Sequence, residues 1–125
     1  MLGGLCNSII SKSVYSCPLN SLLQQDTNDT HWKRVADLPY ASATGVSVSG
    51  HLLAIGGRES GGDSSCIRAV QMYNPTTNSW EEINYMSVGR SRCFAAVLPN
   101  NRLFVVGGWT GIKDHTDRVE IATLF

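Results

Sequence analysis

The chain has 125 residues, with ten Lys and Arg against ten Asp and Glu, and 42% of its residues are hydrophobic. That length fits one folded unit or a piece of a larger one, and the charge balance leaves no electrostatic footprint for nucleic acid or an anionic membrane. The longest apolar runs are about five residues, against the roughly 20 that a membrane-spanning helix needs.

The amino terminus, MLGGLCNSII, has no basic n-region and its apolar stretch is broken by Gly3, Gly4, Asn7 and Ser8, so it makes a poor secretory signal and the chain is read as cytoplasmic. Cys6, Cys17, Cys66 and Cys93 are scattered, with no C-x-x-C pair and no histidine at ligand spacing. They read as idle thiols, and neither a metal nor another cofactor is expected. Asn28-Asp29-Thr30 is formally a glycosylation acceptor, relevant only to a secreted chain.

In chain order, SVYS (13–16) reads as a short strand and PLNSLLQQ (18–25) as a helical turn capped by Asn20 or Ser21. HWKRVADLP (31–39) is a second strand carrying Trp32. The stretches ATGVSVSGHLLAIGG (43–57) and CFAAVLPNNRLFVVGG (93–108) are each a strand, a tight turn and a strand. Ser49-Gly50 and Pro99-Asn100-Asn101 supply the turns, because Gly and Asn tolerate the positive φ of short hairpins. Third strands follow at AVQMYN (69–74) and RVEIAT (118–123), where Val70 and Met72 alternate with Gln71, and Val119 and Ile121 with Glu120. NPTTNSWEEI then turns into a fourth strand bearing Trp80.

These elements repeat. The glycine pairs Gly56-Gly57 and Gly107-Gly108 lie 51 positions apart, Trp32 and Trp80 lie 48 apart, and Leu38 and Met86 each follow a tryptophan by six. A fixed period of this size marks a repeat architecture. One repeat is four antiparallel strands. Its second strand ends beneath neighbouring strands, where only a residue without Cβ takes the required backbone angles. A sheet of about 50 residues with two apolar faces cannot bury both alone, so its neighbours must be copies of itself packed face to face around an axis.

Those residues resemble the kelch repeat, a β-propeller blade of about 50 residues. The resemblance is carried by the glycine pairs, Tyr73, Trp80, the segment MYNPTTNSW (72–80) and the Met-x-x-x-Arg of MSVGRSRCFAAV, which puts Arg90 at the family's arginine. Two departures stand out: LPYASATG has no arginine at the corresponding place, and the last repeat offers Ile121 or Ala122 where the family has its tyrosine. The implied fold is all-β, of kelch-type propeller blades. Residues 1–37 form the tail of a preceding blade (its third and fourth strands), 38–84 a complete blade, and 85–125 a blade without its fourth strand. Propellers close with about four to eight blades, so the chain is expected to be an open arc from a longer protein, its uncovered blade faces prone to self-association.

Catalysis finds little support. Kelch-type propellers include copper oxidases, whose resemblance would require tyrosine and histidine ligands converging on the axis. Here His31 sits beside a fourth-strand tryptophan, His51 opens a strand and only His115 lies in a loop. KDHTD (113–117) reads as a solvated loop, and neither glycine pair has the context of a phosphate-binding motif. The loops between second and third strands (58–68, 109–118) and those joining blades (36–43, 84–92) emerge at one end, because strands alternate in direction. They place Tyr40, Arg58, Arg68, Arg90, Arg92, Trp109, Lys113 and His115 there, and arginine and aromatic residues dominate binding hot spots. Arg90 has a second reading, as a structural group satisfying backbone carbonyls. Gly56, Gly57, Gly107, Gly108, Tyr73, Trp80 and Trp32 are assigned to structure, with both tryptophans between blades. The resemblance implies a non-catalytic protein-binding module, such as the substrate-recognition end of a ubiquitin-ligase adaptor or a cytoskeletal binder. The alternative is a piece of a propeller enzyme, an oxidase or sugar-acid isomerase, whose catalytic residues lie in other blades.

Overall fold

The computed structural model describes residues 2–6, 9–17, 32–59, 66–111 and 115–125, and all their regular structure is β-strand. Strands β1 (Leu2–Cys6), β2 (Ile9–Ser16) and β3 (Lys33–Val35) form a first antiparallel sheet. Strands β4 (Thr44–Val48), β5 (His51–Ile55), β6 (Ala69–Asn74) and β7 (Ser79–Tyr85) form a second, paired in chain order. A third sheet comprises β8 (Phe94–Leu98), β9 (Arg102–Val106) and β10 (Val119–Thr123), with β10 at its edge.

The hairpins close as their turn residues require: Ser49 and Gly50 take φ of 48° and 79°, and Asn100 and Asn101 take 65° and 55°. The next turn is pinned by Asn74, whose Oδ1 accepts from the amides of Thr76 (3.0 Å) and Thr77 (3.4 Å). Register repeats with the period. Leu53, three residues before its glycine pair, faces Met72, and Phe104, three before the second pair, faces Ile121.

Face-to-face packing makes the core. The second sheet buries Val48, Leu53, Ile55 and Val70 against Cys93, Leu103, Val105 and Leu124 of the third, with Met86 from the linker between them. On its other face, Ala54 and Trp80 close with Leu38 over Val14 and Val35 of the first sheet. Trp80 is anchored as well as packed, its Nε1 donating to the Ala36 carbonyl at 3.0 Å. The Tyr73 ring lies 5.4 Å from Trp80.

Several expectations need correcting. Residues 1–37 hold three strands, because β1 precedes β2 and β2 begins at Ile9 rather than Ser13. Gly3 and Gly4 lie within β1, where the register shifts between Leu2 and Gly4, and glycine inside a strand commonly accompanies such an irregularity. Trp32, expected in the core, is 48% exposed. It lies three residues from Val35 and so points away from the face that meets the second sheet. The helical turn expected at 18–25 lies outside the described residues.

Candidate interaction face

Strands β4, β6, β8 and β10 begin, and β5, β7 and β9 end, at one end of the sheets, which gathers the linkers and the post-glycine loops there. Both repeats build this end in the same way. Arg58 exchanges backbone bonds with Ala41 (2.8 and 3.0 Å), and Trp109 does so with Ser91 (2.8 and 2.9 Å). On their other sides Arg58 bridges Cys66 and Trp109 bridges His115. Each glycine pair is thus followed by one extended residue held between a linker and the end of a long loop.

The glycines make room for this. A Cβ on Gly56 would stand 2.0 Å from the Arg90 carbonyl oxygen, one on Gly57 2.7 Å from that of Ala41, and one on Gly108 2.8 Å from that of Ser91. The Gly57 amide also donates to the Arg90 carbonyl at 2.9 Å, so the pair of one sheet carries the linker leading into the next. Lateral ties join the two units: the Cys66 thiol donates to the Trp109 carbonyl (3.0 Å) and the Thr44 hydroxyl to that of Cys93 (2.8 Å).

Of the residues singled out from sequence, Arg68, Arg92 and His115 are exposed at this end, and Tyr40, Arg58 and Trp109 are half-buried. Arg68 uses Nε to cap the Met86 carbonyl at 2.8 Å. The Trp109 ring meets His115 edge-on at 5.2 Å. Lys113 lies outside the described residues.

Arg90 does not belong with them, because its side chain is fully buried. Nη1 donates to the carbonyls of Gly107 (3.0 Å) and Arg118 (2.9 Å), and Nη2 pairs with the Glu120 carboxylate. This guanidinium clamps the end of β9 to the start of β10 and, being fully buried, is out of a partner's reach, though its Nε has no hydrogen bond among the described residues. Burial pushes the Glu120 carboxyl up. The hydroxyl and amide of Ser87 and the Arg90 guanidinium outweigh this and hold it below the usual carboxylate range.

Three features escape a reading by sequence. Glu120 faces inward while Val119 and Ile121 are 52% and 57% exposed, the reverse of the polarity that alternation suggests. Gly89 belongs to no pair, yet a Cβ there would lie 2.2 Å from the Cys66 carbonyl oxygen, and the only sequence signal was a glycine beside Arg90. Tyr85 donates its hydroxyl to the Glu82 carboxylate, and that bond raises its pKa above the ordinary phenol value. Among the described residues, no three His, Cys, Asp or Glu side chains are placed to hold a metal ion, and no helix is long and apolar enough to cross a membrane.

Twisted antiparallel sheets stacked face to face, with their loops gathered at one end, are blades of a β-propeller. The kelch motif matches residues 39–87 and 90–121, and the chain belongs to the kelch-repeat family. It is 36% identical over 87 residues to Kelch-like ECH-associated protein 1B of Danio rerio, covering 67% of this chain and 15% of that protein. With the influenza virus NS1A-binding protein of Homo sapiens it shares 44% identity over 84 residues, 66% of this chain and 12% of the relative. The solved structure of YjhT, at 24% identity, has the same fold with a TM-score of 0.61, over 86% of this chain and 30% of that one. The chain therefore spans a small part of each of these proteins.

Proposed function

We propose that the chain is a non-catalytic protein-interaction module that holds its partner on the loop end of the blades. The observation that carries this reading is the pair of equivalent residues there, Arg58 and Trp109, each fixed by paired backbone hydrogen bonds, with Arg92 and His115 exposed at the same end. Exposed arginine and partly exposed tryptophan on a rigid frame are the chemistry of a binding hot spot. With Arg58, Arg68 and Arg92 at this end, the partner segment is one rich in carboxylates or other acceptors. A human relative is named for binding a viral protein, which supports recognition of a protein rather than turnover of a small molecule. Substrate recognition for a ubiquitin ligase and cytoskeletal binding are the finer roles that fit. The same reading keeps the chain in the cytoplasm.

The test is site-specific photo-crosslinking. A crosslinker at Trp109 captures a partner that is not captured from Asn100 at the hairpin end, and Arg58→Glu with Arg92→Glu removes the capture without lowering the melting temperature. Equal capture from both ends, or capture indifferent to the arginines, refutes the assignment of the face.

A further inference from the structure

Tyr85 is the one exposed tyrosine of the chain's four. It is 59% exposed, whereas Tyr15, Tyr40 and Tyr73 are half-buried. It ends β7, the edge strand of a sheet ordered β4-β5-β6-β7, whose outer backbone is unpaired among the described residues. The position itself is an open one. Asp37 stands 48 residues earlier, at the equivalent place, and its side chain is 46% exposed although the sheet that follows it has all four strands.

A β-bulge aims the side chain. Val70 faces Asn84 and Gln71 faces Glu82, so Ile83 is an extra residue in β7. In a regular strand residues three apart point to opposite faces. The extra residue cancels one alternation, and the Tyr85 hydroxyl meets the Glu82 carboxylate. A cation is close by as well. Ala69 is the strand partner of Tyr85, and Arg68 ahead of it is tied to Met86 twice, carbonyl to amide and Nε to carbonyl, both at 2.8 Å. The Nη groups of Arg68 have no hydrogen bond among the described residues. Glu82, as acceptor and as a negative charge, raises the Tyr85 pKa and the Arg68 guanidinium pulls it down, so both charges are felt at the phenol oxygen.

We infer that Tyr85 is a phosphorylation site for a protein tyrosine kinase, and that the phosphate, once formed, turns from Glu82 to Arg68. The phenol oxygen attacks the γ-phosphorus of ATP. The new O–P bond replaces the bond to the β,γ-bridging oxygen, ADP leaves with that electron pair, and the phenol proton passes to the kinase's own carboxylate base. Glu81 and Glu82, both exposed, precede the tyrosine by four and three residues and offer charge to a basic substrate groove, while the free edge of β7 can take a strand from the enzyme. The product carries about −1.5 to −2 charges near neutral pH. Its dianion has no proton to give Glu82 and is repelled by it, whereas the Nη groups of Arg68 can hold its oxygens. Arg68 is among the arginines assigned to the loop end, so on that reading phosphorylation withdraws it from an acidic partner.

The test incubates the unaltered, folded chain with MgATP and a recombinant kinase domain that prefers acidic residues before its tyrosine, and maps the product by mass spectrometry. Tyr85 is expected to be labelled at least about tenfold faster than Tyr15, Tyr40 or Tyr73, which need local opening to reach the enzyme, and Tyr85→Phe to remove most of the label. No label at Tyr85, or equal labelling of all four, overturns the inference. The 31P shift of the product, titrated with pH, then reports its second ionisation. Arg68→Ala should raise that pKa by at least about half a unit, because a neighbouring cation favours the dianion, and an unchanged value overturns the turn to Arg68. Neither readout needs a loop-end partner, so their failure is distinct from failure of the loop-end reading.

Discussion

Replacing Arg90 by alanine removes a fully buried guanidinium from three acceptors. The two carbonyls of Gly107 and Arg118 each lose a charged bond, about 1.5 kcal/mol apiece at the low end of the range. Glu120 retains both Ser87 donors and keeps 22% of its side chain exposed, so its loss is nearer that of a surface pair, about 1 kcal/mol. The sum is about 4 kcal/mol, which for a chain of this length lowers the melting temperature by about 15 °C. Urea unfolding followed by tryptophan fluorescence measures it, with Arg92→Ala as the control expected to stay within about 0.5 kcal/mol. Arg90→Lys should fall between, because one ammonium cannot span the carbonyls and the carboxylate as a planar fork does. A loss below about 1.5 kcal/mol for Arg90→Ala, the size of one charged bond, would refute the view that this side chain clamps β9 to β10.

Glycine replacements separate close approach from backbone angle. Gly50→Ala meets nothing within 4 Å and suffers only its φ of +79°, about 1 kcal/mol, whereas Gly56→Ala drives a Cβ to 2.0 Å from a backbone oxygen and should abolish cooperative folding, as circular dichroism melts would reveal. Trp80→Phe keeps an aromatic in the inter-sheet core but deletes the bond to Ala36, costing about 1 kcal/mol in the same urea assay. Because the Glu120 pKa is lowered in the folded state, its contribution is complete above the ordinary carboxylate value and disappears as pH falls through the lower, folded value. Glu120→Gln should therefore flatten the acid limb of a stability profile and leave its shape near neutrality unchanged; an unaltered acid limb would exclude this group as the cause.

What sequence revealed and what it hid follow from the range of the forces involved. Glycine pairs, Asn-rich turns and tryptophans at a 48-residue spacing act locally or at a fixed period, and the hairpins and the inter-sheet place of Trp80 were legible from them. Arg90 was ambiguous because an arginine at a linker looks the same whether its acceptors are on a partner or 17 and 28 residues further along the chain. Glu120 misled for a related reason. Alternation tells which residues share a face, and here the face holding Glu120 is inward because Arg90 waits there, while Val119 and Ile121 lie on the side that no described sheet covers. Trp32 shows the same dependence, since its equivalent Trp80 is covered only because the first sheet lies against it.

The clamp and the loop end are mechanically connected. Arg90 fixes the linker from within, and the next residue, Ser91, holds Trp109 through two backbone bonds while Arg92, at φ 52°, projects outward. Trp109 in turn receives the Cys66 thiol on its carbonyl, which ties the loop of the preceding repeat to the same point. In that preceding repeat the position equivalent to Arg90 is Tyr40, since Ala41 pairs with Arg58 as Ser91 pairs with Trp109, and the inward residue equivalent to Glu120 is the neutral, buried Gln71. One repeat thus has an ionic clamp at its loop end and the other does not, although both have the same backbone bridges. The difference assigns distinct stiffness to the two halves of the face: Trp109 rests on a charge-locked strand junction, and Arg58 on backbone bonds alone. On the proposed reading of the loop end, a partner would meet one fixed aromatic anchor at Trp109 and an arginine at Arg58 held by backbone bonds alone.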